Sequence, residues 1–170
     1  MKKSKRIVYK FNPYISVLRE NFSNKFIKRK NFHKIILQNA AMVILENKQN
    51  KVLFLNEYRR GIKKKSLGFP GGHIDKNEKP LKAVKRELYE ETGLVASNWK
   101  KLFNYVRSGT YYCGEDFVFK AKLKRNLRFK SKEKIEKKWL SKKQIINYLK
   151  KKKFKTAGVI ATVLFYLHNF

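Results

Sequence analysis

Five of the twelve Asp and Glu residues in this chain, Asp75, Glu78, Glu87, Glu90 and Glu91, fall within seventeen consecutive positions of a sequence otherwise crowded with lysine. The same stretch carries clear helix punctuation. Pro80 suits a first helical turn, where its missing N–H has no partner to lose, and Gly93 suits the left-handed position just past a helix end. The pattern predicts one helix of roughly three to four turns between them. Leu81, Val84 and Leu88 recur at helical spacing as an apolar stripe, while Glu87 and Glu91, four apart, sit on its flank with Glu90 one step further round. Carboxylates this close repel one another unless a cation lies between them. Three of them with few neutral partners point to Mg²⁺, with Mn²⁺ as the alternative, because hard cations take oxygen ligands whereas zinc takes His or Cys. Arg86 reads as the partner of Glu78. An isolated E-x-x-E-E is ordinarily no more than a solvated acidic helix face.

The full pattern outweighs that reading. G-x5-E-x7-R-E-U-x-E-E-x-G-U, with U aliphatic, is met without a gap by Gly72, Glu78, Arg86, Glu87, Leu88, Glu90, Glu91, Gly93 and Leu94. It resembles the Nudix box of the Nudix hydrolase superfamily. The resemblance implies that Glu87, Glu90 and Glu91 hold the metal, with the Gly71 carbonyl as a further ligand. It also implies that Glu78 and Arg86 brace the loop, helix and loop, which places Arg86 and Glu90 among the catalytic groups.

Length and composition fit a single globular domain: 170 residues, 42% hydrophobic and 14% aromatic, are enough for a sizeable core. A formal net charge of +31 argues for attraction to polyanions such as nucleotides, nucleic acid or an anionic membrane. Its distribution argues otherwise. Lysines outnumber arginines 34 to 9 and lie in nearly every segment, as compositional bias produces, whereas phosphate readout favours arginine forks. Dedicated nucleic-acid binding is therefore the lesser reading. A lone cysteine, Cys113, excludes an intramolecular disulfide, and the expected compartment is the cytoplasm. The basic N-terminus resembles a signal n-region, but Lys10, Asn12 and Pro13 interrupt the apolar run it would need, so no secretion is expected. The apolar stretch from Gly158 to Leu167 is about ten residues long, against the roughly twenty that span a bilayer. His33, His73 and His168 carry no functional signal.

Residues 1–33 read as a basic segment supplying one or two strands, a disordered arm or a dimerisation element, and 34–170 as the catalytic domain, with a homodimer expected. Residues 34 to 46 look like one buried strand. Asn47 to Asn50 form a polar turn, and Lys51 to Tyr58 a second strand completing a hairpin. A basic loop formed by Arg59-Arg60-Gly61 and Lys63 to Lys65 follows. After the box helix, Trp99 to Val106 and Phe117 to Leu123 read as a second hairpin, and Lys137 to Leu140 as a short strand. Ser141 and Gln144 form a capping box opening a helix to about Lys151, and Thr156 is placed to cap a final apolar helix. This order implies an α/β fold, a mixed sheet between helices, and it matches the Nudix α/β/α sandwich.

The flanks of the box narrow the resemblance to one branch. Residues 52 to 61 are similar to the QYR-x-G strand end of ADP-ribose and ADP-sugar pyrophosphatases, and Ile74-Asp75 fits that branch's entry to the box. Gly68 and Gly71 depart from it, replacing an acid and an alanine, as in nucleoside triphosphate hydrolases of the superfamily. The resemblance implies Arg59, with Arg60, on the substrate diphosphate, Glu115 on the ribose side, and Glu133 on a metal or the attacking water, with Glu136 the alternative. The expected reaction is hydrolysis of a nucleoside diphosphate linked to a further group, giving AMP and a sugar phosphate from ADP-ribose. Two other readings stand beside it: a triphosphate pyrophosphohydrolase of the nucleotide pool, and a basic RNA-associated protein using the fold for binding.

Overall fold

The computed structural model describes residues 5–23, 28–126 and 135–170. It resolves into two compact units, Met1–Ala40 with Asn104–Asp116, and Ala41–Phe103 with Phe117–Phe170. In chain order the strands are β1 (Lys5–Asn12), β2 (Ile15–Ser23), β3 (Lys28–Leu37), β4 (Ala40–Glu46), β5 (Val52–Arg59), β6 (Lys64–Gly68), β7 (Gly71–His73), β8 (Leu94–Val106), β9 (Tyr112–Cys113), β10 (Glu115–Asn126) and β11 (Glu136–Leu140). The helices are α1 (Pro80–Thr92), α2 (Lys142–Lys150) and α3 (Ala157–Asn169).

The first unit is a four-stranded sheet ordered β1-β2-β3-β9. Asn12 and Pro13 break the first strand, and Asn12 Oδ1 accepts the Tyr14 N–H at 2.8 Å, which sets the turn into β2. Residues 34 to 46, expected as one strand, are two. β3 ends at Leu37, Gln38 N–H makes one last bond to the first sheet at Tyr14 O (3.0 Å), and after Asn39 the chain starts a new ladder with β4 at Ala40.

The second unit is a seven-stranded sheet in which β11-β5-β4-β10-β8 run side by side, with β6 on β5 and β7 on β4. Strand alternation divides its core into two layers. Ala41, Val43, Leu45, Leu53, Leu55, Phe119 and Ala121 join Val84 and Leu88 of α1 in one buried cluster. The opposite face carries Phe54, whose ring lies 4.7 Å from Phe69 and 5.3 Å from Phe154. On that face Met42 and Glu46 meet Thr162 and Tyr166 of α3. With helices over both faces, the unit is the expected α/β/α sandwich. Its seams are local: Asn47 Oδ1 accepts the N–H groups of Gln49 and Lys51 in the β4–β5 turn, and both bonds of the Ser141–Gln144 capping box are made.

One buried charge fixes α3. Glu46, 4% exposed, accepts the Tyr166 hydroxyl at 3.0 Å and pairs with Lys120 at 3.2 Å and Lys122 at 2.6 Å. Burial pushes its carboxyl up, but the Lys122, Tyr166 and Lys120 contacts together leave it below the ordinary value. Removing one side of such a cluster leaves charge uncompensated, so Glu46→Ala is expected to cost about 3 kcal/mol of stability. The cost is readable as a lower urea midpoint, and an unfolding free energy within about 0.5 kcal/mol of the parent's would show the cluster to be dispensable.

Candidate active site

The box folds around α1. Pro80 occupies its first turn, and Gly93 closes it at φ 69° with its N–H on Tyr89 O at 2.7 Å. Lys137 Nζ donates to Thr92 O at 2.5 Å, setting a cation at the negative end of the helix. Before the helix, Gly71 is held at φ 148°, where an added Cβ would lie 2.2 Å from Ala41 O. Gly72 is equally confined: a Cβ there would sit 2.6 Å from Glu87 Cδ. The box glycine is thus the cradle in which the Glu87 carboxylate lies.

Arg86 is the centre of the arrangement. Its Nε and Nη2 donate to the two oxygens of Glu78 at 3.2 and 3.0 Å, and Nη2 also donates to His73 O at 3.0 Å. Nη1 reaches Glu87 at 2.9 Å and Glu90 at 3.0 Å, and Asp75 stands 3.5 Å away. Glu78 in turn accepts the Asp75 N–H at 3.1 Å. One guanidinium therefore ties the loop before α1 to two of its carboxylates. Contact with Arg86 holds the Glu78 carboxyl below its usual range, and the same contacts push the arginine further up.

Glu91 turns the other way and accepts the Gly71 N–H at 3.0 Å. Burial, reinforced by the charges of Glu57 and Glu87, pushes its carboxyl up to about 8. Glu87 is also raised, chiefly by burial. Glu57, at the end of β5, is a residue the sequence reading missed: it precedes the box, and only β5 packing brings its charge to Glu91. Glu57 Oε2 lies 3.3 Å from Arg59 Nη1, and Arg59 lowers Glu91 in opposition to the carboxylates. Arg59 also covers Gly68, where an added Cβ would lie 3.0 Å from its Nη2. Arg60 is exposed in the single 3₁₀ turn Arg60–Ile62 that follows.

Glu57, Arg59, Gly71, Glu87 and Glu91 are thus brought together, with Arg86 and Glu90 alongside. The three glutamates do not converge on one point, since Arg86 draws Glu87 and Glu90 while Gly71 draws Glu91. Among the described residues no three His, Cys, Asp or Glu side chains stand as a metal-holding group. Glu133 lies outside the described residues. Its alternative, Glu136, is exposed on β11 and accepts from Asn56 Nδ2 at 2.7 Å. Glu115 belongs to the first unit, where its carboxylate accepts from Asn104 Nδ2 and its N–H donates to Asn39 Oδ1 at 2.9 Å.

The model of the NUDIX domain matches residues 36–162, three quarters of the chain. The chain belongs to the Nudix family. An 8-oxo-dGTP diphosphatase from Haemophilus influenzae is 42% identical over 65 residues, 38% of this chain and 47% of that protein. An ADP-ribose pyrophosphatase from Bacillus subtilis is 28% identical over 69 residues, 41% and 37% of the two. The Nudix chain described here therefore spans less than half the length of either relative. The crystal structure of an ADP compounds hydrolase superposes with a TM-score of 0.73 at 20% identity, covering 96% of this chain and 91% of that one, a likeness of fold. No helix among the described residues of this Nudix protein is long and apolar enough to cross a membrane.

The Nudix site fits a divalent cation by the chemistry of its donors. Glu87, Glu90, Glu91 and the Gly71 carbonyl offer only hard oxygens. Two of these carboxylates carry raised pKa values, the signature of negative charge buried with too little positive charge beside it.

Proposed function

We propose that this Nudix protein is a divalent-cation-dependent pyrophosphohydrolase of nucleoside diphosphates linked to a further group, with ADP-ribose or an ADP-sugar as substrate. The observation that carries it is Arg59 beside the buried carboxylates: a guanidinium on the β5 end stands next to Glu57 and within electrostatic reach of Glu91. An anionic diphosphate is attracted there by a planar fork matched to phosphate oxygens, with Arg60 exposed one residue on. Mg²⁺ held by Glu87, Glu90, Glu91 and the Gly71 carbonyl would neutralise diphosphate charge and acidify a water for attack.

The chain's own residues set up that encounter. Arg86 orients Glu87 and Glu90, Gly71 N–H orients Glu91, and Gly72 keeps Glu87 free of steric obstruction. Glu133 is the proposed acid–base group. Hydrolysis adds water across one P–O–P bond, so ADP-ribose gives AMP and ribose 5-phosphate. The expected location is the cytoplasm, and the expected assembly a homodimer.

A triphosphate reading is favoured by one observation: Gly68 offers no acid to Arg59, leaving that guanidinium to Glu57 and an incoming anion. A substrate panel with Mg²⁺ separates the two. ADP-ribose is expected to be hydrolysed faster than any nucleoside triphosphate, because a phosphate-linked ribose gives Arg59 and Arg60 a second anchoring point whose binding energy positions the diphosphate. Arg59→Ala should then lower kcat/KM for ADP-ribose about tenfold or more, the scale of a charge-assisted hydrogen bond, with metal affinity unchanged. A triphosphate outrunning every nucleoside diphosphate sugar would transfer the assignment to the nucleotide-pool branch. No turnover of any phosphoanhydride would remove the hydrolase reading altogether.

A further inference from the structure

The register of the first unit sets basic residues side by side. Arg6 stands opposite Arg19 across β1 and β2, and Arg19 stands opposite His33 across β2 and β3. Like charges directly opposite on a ladder destabilise a sheet. Neither guanidinium has a hydrogen-bond or ion-pair partner among the described residues. The neighbouring acid does not serve them: Glu20 is 8% exposed and its carboxylate takes Lys34 Nζ at 2.8 Å.

Arg6, Arg19, Glu20, Asn21 and Asn31 line a cavity of about 190 Å³. Its far wall is fixed, since the Asn31 N–H, at φ 56°, donates to Asn21 Oδ1 at 3.0 Å. The volume is below the roughly 300 Å³ at which pockets take drug-sized ligands. A phosphate with its adjoining group fits, and a whole dinucleotide does not. Lysine bias gives no account of this pair, because the chain has only 9 arginines to its 34 lysines.

We propose that this cavity is a binding site for a phosphate group, held between the guanidinium groups of Arg6 and Arg19. Two adjacent forks present several N–H donors to one tetrahedral anion, and the anion removes the repulsion between them. Glu20, next to Arg19 along β2, alternates to the other face of the sheet and its carboxylate is paired with Lys34 Nζ at 2.8 Å, so it does not cancel the attraction. The phosphate is either inorganic or the terminal group of a nucleic acid.

The test uses the full chain in EDTA at low ionic strength, where turnover is silent and the outcome is independent of the hydrolase reading. The probes are inorganic phosphate, a short 5′-phosphorylated oligonucleotide and the same oligonucleotide without its phosphate. Phosphate should raise the melting temperature and bind measurably by calorimetry. Arg6→Gln/Arg19→Gln should weaken it about tenfold or more per arginine, while Lys48→Gln/Lys51→Gln leaves it unchanged. Preference for the phosphorylated oligonucleotide identifies the source as a nucleic-acid end, whereas binding of inorganic phosphate together with equal binding of the two oligonucleotides identifies free phosphate. Without phosphate, Arg19→Gln should melt no lower than the parent because the like-charge contact is relieved, which also shows that the variant folds. Equal phosphate affinity in the parent and the double variant would overturn the proposal, and so would an Arg19→Gln protein that melts lower and still binds phosphate as the parent does.

Discussion

Glu91→Gln should lower kcat at saturating Mg²⁺ by about 10²-fold or more, the rate equivalent of losing several kcal/mol of charge stabilisation. The substitution is nearly isosteric, and the glutamine oxygen can still accept the Gly71 N–H that Glu91 takes at 3.0 Å. Loop geometry is therefore kept while one negative charge is removed. Stability should move the opposite way in metal-free protein. The folded Glu91 carboxyl titrates at about 8, above its ordinary value of 4.5. A group with a raised folded pKa contributes fully below its unfolded pKa and loses that contribution as pH rises through the folded one. In EDTA the parent should thus lose stability from about pH 4.5 to about pH 8, and the variant should lack that part of the slope. At pH 8 the variant then melts higher than the parent, each kcal/mol being worth about 2–4 °C in a chain of this size. Mg²⁺ should raise the parent's melting temperature and the variant's much less. Near-parental kcat in the variant, or identical pH slopes in EDTA, would remove Glu91 from the metal-binding set.

Features whose cause is local were legible in the sequence, and features whose cause is tertiary were not. Pro80 and Gly93 delimit α1 because first-turn and left-handed requirements are met by those residue types themselves. Ser141 and Gln144 satisfy each other within four residues, and Asn47 builds its own turn. The Glu78–Arg86 pair spans eight residues but follows from the fixed pitch of the motif. By contrast, the run 34 to 46 serves two different sheets, and its one sign of this is the polar pair Gln38-Asn39 between two apolar halves, too short a break to separate two strands by pattern alone. Lys64 to Gly68 pairs with β5 although its lysines read as a loop. Glu57 was passed over because its charge reaches Glu91 only through β5 packing. Thr156 marks the start of α3, yet makes no side-chain capping bond there. The shared role of Arg86 in holding Glu87 and Glu90 apart from Glu91 depends on side-chain directions that spacing alone does not set.

Arg86→Ala should damage stability and turnover together, which separates it from the metal-site glutamates. Its guanidinium makes both bonds to Glu78, whose side chain is 8% exposed, and reaches Glu87, Glu90, His73 O and Asp75 besides. Truncation leaves the partly buried Glu78 without its cation, a defect of about 1–2 kcal/mol on the scale of lost charge-assisted hydrogen bonds. It also releases Glu87 and Glu90 from the one group that orients both, and loss of such supporting contacts costs about 10–100-fold in activity or metal affinity. Arg86→Lys separates the charge from the fork: an ammonium can pair with Glu78 but cannot span Glu78, Glu87 and Glu90 at once. The lysine variant is accordingly expected to recover most of the stability and little of the turnover. Urea midpoints and kcat measured on the three proteins decide it. If Arg86→Lys restored kcat as fully as stability, charge alone would suffice and the multidentate role would fall. If Arg86→Ala kept both, the hub would be a bystander to the carboxylates it contacts.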